Sequence, residues 1–291
     1  MTRPVPDLVR WATAELAAAG VPSPDHDAWA LLEHATGRRR AALMALQPQD
    51  GAGLDGTDDF ERYVERRAAR EPLQHITGVA WFRHLTLEVG PGVFVPRPET
   101  ELVAEAAIEA ARRSAAAERG RAPVVVDLGT GSGAIALAVE SEVPGSVVHA
   151  VEAEAAAFAW AQRNCAGTRV DLRRGDMAAA FVDLDGSVDV VVSNPPYIPV
   201  GAHIRDAEVA AHDPAPALWS GADGLDAIRV VEQVAARLLR PGGAVVVEHA
   251  DLQGAAAPGI FQGAGRWRDV EDHRDLAGRD RYLTATRASG R

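Results

Sequence analysis

Asn194-Pro195-Pro196-Tyr197 follows the mostly apolar run 188–192 after a single residue, Ser193. The two prolines carry no N–H and have nearly fixed φ, so a sheet ladder cannot continue past Asn194 and the chain stiffens into a corner. That corner offers the Asn194 amide, the Pro195 carbonyl and the Tyr197 ring at the carboxyl end of a strand, where open α/β sheets hold their ligands. Two acceptors and a flat ring suit an amino group on a planar substrate. The competing explanation is a plain turn after a core strand, since the same residue types are common in turns.

A second constellation is Asp127-Leu128-Gly129-Thr130-Gly131-Ser132-Gly133, between the apolar segment 123–126 and a helical segment 134–139. Glycines in a strand–loop–helix unit allow a tight turn and a close backbone approach to a ligand. Glu152 ends the next strand, at about the 20-residue spacing where an acidic side chain accepts from ribose hydroxyls. It could equally cap the helix that follows. An acidic residue at the head of the loop does not suit a pyrophosphate at the helix N-terminus. Asp127 instead fits S-adenosyl-L-methionine (SAM), whose α-ammonium needs acceptors nearby. After the third strand, Asp176 could accept from an exocyclic adenine amine and Met177 could pack on the ring. Gly175-Asp176 could also be a simple turn.

These groups need strands to hold them. Strands are expected at Val124–Leu128, Val147–Glu152, 169–173, Val188–Ser193, 244–249, 267–271 and 281–286, with helices between most of them. That alternation predicts a mainly parallel sheet covered on both faces. Upstream, residues 5–70 carry apolar positions at helical spacing, among them Leu8, Trp11, Ala12 and Leu16. A polar loop is expected at 51–58 and a helix over 60–70. Alternating strand formers at 80–89, the turn Gly90-Pro91-Gly92 and a return over 93–95 predict a β-hairpin. Arg97, Glu99 and Glu101 then either brace the pocket or an interdomain contact, or decorate a solvated helix start.

Acidic residues outnumber basic ones, 41 to 30, giving a formal charge of −11. This argues against a nucleic acid as the main partner, which would call for a basic face. With a single cysteine, Cys165, no intramolecular disulfide can form. No run of eighteen apolar residues and no signal-like N-terminus are seen, so a cytoplasmic protein without a membrane segment is expected. No histidine or cysteine spacing points to a metal.

Together the segments resemble class I SAM-dependent methyltransferases, and closely the release-factor glutamine methyltransferases (the PrmC/HemK family). The resemblance is carried by Glu71-Pro72-Leu73-Gln74-His75-Ile76-Thr77-Gly78, Val95-Pro96-Arg97-Pro98-Glu99-Thr100-Glu101, the glycine loop, SNPPYIP, 221–226 and 275–281. It implies an α/β fold with a Rossmann-like, seven-stranded, mostly parallel sheet. A small N-terminal helical domain (1–73), a candidate for substrate recognition, would be joined by a β-hairpin linker (74–98) to a methyltransferase domain (99–291). It also implies methyl transfer from SAM, with S-adenosyl-L-homocysteine as product, to the side-chain nitrogen of the glutamine in the Gly-Gly-Gln motif of class I peptide-chain release factors. Carried over residue by residue, Asp127, Leu128, Gly129, Thr130, Gly131, Glu152, Asp176, Met177 and Asn194 would bind SAM. Asn194, Pro195, Pro196 and Tyr197 would hold the glutamine, with Asn194, Pro195 and Tyr197 at the reacting atoms. The chain departs from the family's common pattern at Glu152, Met177 and His212-Asp213-Pro214.

Two other enzyme readings share the NPPY corner: a glutamine methyltransferase of a ribosomal protein, and an N6-adenine or N2-guanine nucleic-acid methyltransferase that stacks a flipped base on the aromatic. A non-catalytic adaptor is disfavoured by the intact glycine loop.

Overall fold

A computed structural model of the chain describes residues 3–46, 54–118, 120–204 and 206–289. The helical region begins with α1 (Val5–Ala18), α2 (Pro24–Thr36), α3 (Arg40–Met44), α4 (Thr57–Ala68) and α5 (Leu73–Thr77). Leu8, Ala12, Leu16, Leu31, Leu32, Leu43, Phe60 and Val64 recur at helical spacing and close over one another as a separate core. The polar loop expected at 51–58 lies partly outside the described residues, and α4 begins three positions earlier than the expected helix. The short helix α5 was not expected from periodicity; five residues are too few to show one.

The chain then forms β1 (Val79–Phe82), β2 (Leu85–Glu88), α6 (Thr100–Ala117), β3 (Val124–Leu128), α7 (Ala134–Glu142), β4 (Val147–Glu152), α8 (Ala155–Asn164), β5 (Asp171–Arg174) and β6 (Val188–Ser193). After α9 (Ala207–His212) come α10 (Asp226–Leu238), β7 (Leu239–Glu248), α11 (Ala256–Gly263), β8 (Trp267–Arg274) and β9 (Asp280–Arg287). By compactness the chain divides into Met1–Val79 with Ile204–His212, and Ala80–His203 with Asp213–Arg291. Within the first unit, Glu208 of α9 accepts from Arg67 at 2.8 Å, and Arg67 also pairs with Asp27 at 2.7 Å. Arg67 is buried, so removing a partner from it should cost about 3–5 kcal/mol.

The hairpin closes at a different place from the one expected. β1 pairs with β2 across Arg83-His84, where Arg83 takes a left-handed φ of 55°, and 93–95 is not a strand. Gly90-Pro91-Gly92 is still a turn, closed by Val93 N–H donating to Gly90 O at 3.3 Å, but it lies beyond the pair. Arg83 earns its strained backbone through its contacts. Its backbone N–H donates to Glu101 at 2.9 Å, and its guanidinium binds Glu105 and Glu142.

Among the described residues, seven strands form one sheet in the order β5-β4-β3-β6-β7-β9-β8. The first five run parallel, while β9 is antiparallel to both its neighbours. Three strands match the expected bounds; β7 begins five residues earlier than expected because Leu239 already pairs with Val188, across an irregularity in register. The central strands are buried on both faces, which is why they read as near-continuous valine runs. α10 covers one face with Ile228, Val231, Val234, Ala235 and Leu238. Each such large aliphatic contributes about 1.5–3 kcal/mol by leaving water.

Candidate active site

Strand register aligns the functional groups. β3 pairs with β4 as Leu128↔Val151, with β6 as Asp127↔Val192, and β6 pairs with β7 as Ser193↔Val247. One step beyond the β3–β4 and β6–β7 pairs and two beyond the β3–β6 pair, Gly129, Glu152, Asn194 and Glu248 stand in a row at the carboxyl ends of four adjacent strands. The chain reverses its winding direction between β3 and β6, and a sheet of this kind opens its ligand crevice at such a point. Ser193 Oγ ties the two strand ends together by donating to Leu128 O at 2.6 Å.

The glycine loop is shaped by three left-handed positions, Gly129 (φ 73°), Gly131 (60°) and Gly133 (87°). A side chain at any of them would be strained. Gly129 and Thr130 both donate N–H to Val151 O at 3.0 Å, and Gly131 N–H donates to Glu152 Oε2 at 2.9 Å. Glu152 Oε1 accepts from Glu154 N–H at 2.8 Å. Glu152 therefore does act within its own chain, locking the loop and the start of α8 and also meeting the Ala153 N–H, while its four lone-pair sites leave acceptor capacity over. Burial pushes its carboxyl above the usual range.

Asp127 is fully buried. Its Oδ2 accepts from Thr130 Oγ1 at 2.6 Å and Ala136 N–H at 3.2 Å, but among the described residues its Oδ1 has no partner. Burial raises the carboxyl to about 7, against these two hydrogen bonds. An orphaned buried acceptor beside a glycine loop is costly for the protein alone. It fits a site that receives a cation. Asp176 is exposed and its Oδ1 caps Ala178 N–H at 2.9 Å, so the turn explanation holds for that oxygen. Met177 packs half-buried against the core beneath α10.

At the corner, Asn194 Nδ2 donates to Thr100 Oγ1 at 3.2 Å, at the first residue of α6. Among the described residues nothing donates to Asn194 Oδ1 or to the Pro195 carbonyl. Pro195 is buried, Pro196 half-buried, and Tyr197 donates its hydroxyl to Glu248 Oε1 at 3.4 Å. Burial and the adjacent Glu248 push the Tyr197 phenol up, so it stays a donor. Behind the ring, Gln253 Nε2 donates to Tyr197 O at 3.0 Å and to Gly224 O at 3.3 Å. A Cβ on Gly224 would run into that same Tyr197 carbonyl, which explains a glycine at this position. The exit from the corner is held by Ile198 N–H to Leu218 O and Ser220 N–H to Ile198 O, both 2.8 Å.

Arg97 binds Asp213 at 2.9 Å and lies over the Phe94 ring, while Glu99 meets Arg279 at 3.4 Å. Glu101 holds the hairpin turn through Arg83. None of the three is a merely solvated helix start. Periodicity and motif left two residues without a role: Thr100 and Glu248. Glu248 had a legible signal, an acidic group ending the apolar run 244–247, the same placement as Asp127 and Glu152.

The N-terminal region matches the PrmC N-terminal domain over residues 7–78, and a methyltransferase small domain matches residues 105–210. The chain is 55% identical to the release factor glutamine methyltransferase of Streptomyces coelicolor, over 96% of this chain and 97% of that one. The chain belongs to the release factor glutamine methyltransferase family. The enzyme of that name from Mycolicibacterium smegmatis is 49% identical, over 95% of each chain. A 16S rRNA N2 methyltransferase from T. thermophilus, solved with AdoMet and guanosine, shares the fold at a TM-score of 0.50 and 22% identity. It spans 72% of this chain and 49% of its own. This chain is accordingly a methyltransferase. Among the described residues no helix is long and apolar enough to cross a membrane.

Proposed function

We propose that this protein transfers the methyl group of SAM to the side-chain amide nitrogen (N5) of the glutamine in the Gly-Gly-Gln motif of class I release factors, in the cytoplasm. The observation that carries this is the Asn194 amide, tethered by its nitrogen to Thr100 with its oxygen left to accept, beside a Pro195 carbonyl to which nothing donates among the described residues. A primary amide presents two N–H groups in one plane, and two fixed acceptors on one side of it satisfy both. The helical unit at the N-terminus is the candidate surface for recognising the rest of the release factor.

SAM, when bound, supplies a methyl carbon on a sulfonium that leaves as a neutral sulfide with the C–S electron pair. The residues present fit it. Glu152 would take the ribose hydroxyls with its remaining lone pairs, Asp127 would set a negative charge near the α-ammonium beneath the loop 128–131, and Asp176 and Met177 would hold the adenine.

The chain's own contribution is alignment and charge placement. An amide nitrogen is a weak nucleophile because its lone pair is delocalised. Asn194 Oδ1 and Pro195 O would fix its two N–H bonds and direct the nitrogen at the methyl carbon. The positive charge that develops on nitrogen then meets two preset dipoles. Tyr197 would lie against the flat amide and exclude water. The proton leaves to solvent after transfer, so no general base is required.

The test is label transfer from methyl-labelled SAM to purified release factor, ribosomal proteins, DNA and rRNA in parallel. Label on the release-factor glutamine is expected. Label confined to a ribosomal protein or to nucleic acid overturns the proposal in favour of the corresponding rival.

A further inference from the structure

Thr100 has one hydroxyl proton, and its oxygen already accepts from Asn194 Nδ2 at 3.2 Å. The proton must therefore go to another acceptor. Glu248, at the end of β7, lies within hydrogen-bonding reach of Thr100 and also accepts from Tyr197. It is only 2% exposed, and among the described residues its Oε2 has no partner. The charged and titratable groups facing it are Glu99 from the start of α6, Tyr197 from the corner and Arg281 from β9. Its chain neighbour His249 turns its ring to Asp272 and to the Ala250 carbonyl.

We propose that Glu248 is a positioning residue for methyl transfer: as an acceptor it sets the direction of the chain Asn194 → Thr100 → Glu248 ← Tyr197, and so holds Asn194 Oδ1 toward the substrate amide. This rests on the function proposed above. The direction matters because an asparagine amide has unlike ends. A protonated Glu248 has a hydrogen to give, and Thr100 Oγ1 is an acceptor within reach. Thr100 would then turn its own proton to Asn194, which could answer only with Oδ1. The Nδ2 group would face the substrate nitrogen, donor against donor. Burial raises the Glu248 carboxyl to about 7, with Arg281 opposing and Glu99 adding to the shift. The reversal therefore falls near neutral pH, and kcat should fall on its acid side.

The experiment is kcat against pH on release factor for the wild type, Glu248→Gln, Thr100→Val and Thr100→Ser, together with an infrared titration of the protein without SAM. The wild type should show an acid limb near 7. Glu248→Gln has no group to titrate there and should lose that limb. Thr100→Val should lower kcat about tenfold to a hundredfold with KM for SAM unchanged, and Thr100→Ser should restore it. Protonated-carboxyl infrared absorption titrating near 7 should be smaller in Glu248→Gln by the Glu248 component, the part that remains belonging to Asp127. An unchanged acid limb in Glu248→Gln, a wild-type kcat in Thr100→Val, or no such loss of absorption in Glu248→Gln overturns the proposal. A wild-type enzyme that methylates no release factor at any pH refutes the functional reading instead, and the infrared titration still decides the state of Glu248.

Discussion

Asn194 and Thr100 are 94 positions apart in sequence, and their side chains meet at 3.2 Å with the asparagine nitrogen as donor. That one bond turns a flexible amide into an oriented acceptor. It also ties the corner after β6 to the first turn of α6, so the segment preceding α6 is part of how the corner works.

Asn194→Ala removes one of the two acceptors and leaves the glycine loop intact. The expected outcome is a loss in kcat of about a hundredfold or more, the scale of deleting one preorganised polar group. SAM affinity, measured by calorimetry, should fall far less than kcat, since Asn194 is one of nine residues assigned to SAM and the other eight are unchanged. A near-normal kcat would show that the amide is held elsewhere.

Asp127→Asn should separate stability from binding. The wild-type carboxyl is raised from 3.8 to about 7, so between these values the folded protein holds a proton that the unfolded chain has lost. The contribution of this group to stability therefore falls as pH rises through that window, and above 7 a buried, half-partnered charge remains. The asparagine can keep the bonds from Thr130 and Ala136 without the charge. Its Tm should exceed the wild type's at pH 8, and the gap should close toward pH 4, while SAM binds more weakly at pH 8. A lower Tm at pH 8 would contradict the assignment of Oδ1 as an orphan.

Glu152→Ala should weaken SAM binding and stability together, because the same carboxylate locks Gly131 and Glu154. Two backbone N–H groups lose a charged acceptor, at about 1.5–3 kcal/mol for each such bond. Glu152→Gln, which keeps one acceptor oxygen, should recover part of the stability. Thermal melts of the protein alone, set beside calorimetric affinities, check both halves.

Gly224→Ala should act at a distance. The added methyl would press on the Tyr197 carbonyl and on Gln253, and the backbone there has a left-handed φ of 77°. A misplacement of the corner should lower kcat about tenfold to a hundredfold, with SAM affinity preserved. Equal kcat in single-turnover assays would mean that the ring's position is not limiting.

Local signals carried much of the architecture. The valine runs of β3 and β6 are buried on both faces and bounded by glycine and proline, so their ends could be placed to the residue. The glycine loop and the prolines after Asn194 are likewise written in residue types that restrict the backbone directly. The hairpin was misplaced because Gly90-Pro91-Gly92 is a stronger turn signal than Arg83-His84. The true turn depends on Glu101, Glu105 and Glu142 gripping Arg83 across the fold. For the same reason the Thr100–Glu248 connection could not be read: it joins a helix start to a strand end, and only the sheet register sets them side by side.

The most direct measurement is a mass spectrum of a class I release factor after incubation with the protein and SAM, with the added mass localised by fragmentation. The account predicts a single methyl group on the glutamine of the Gly-Gly-Gln motif, missing when Asn194→Ala replaces the wild type at equal concentration and time. An unmodified glutamine, or a methyl group on any other residue of the release factor, would contradict it.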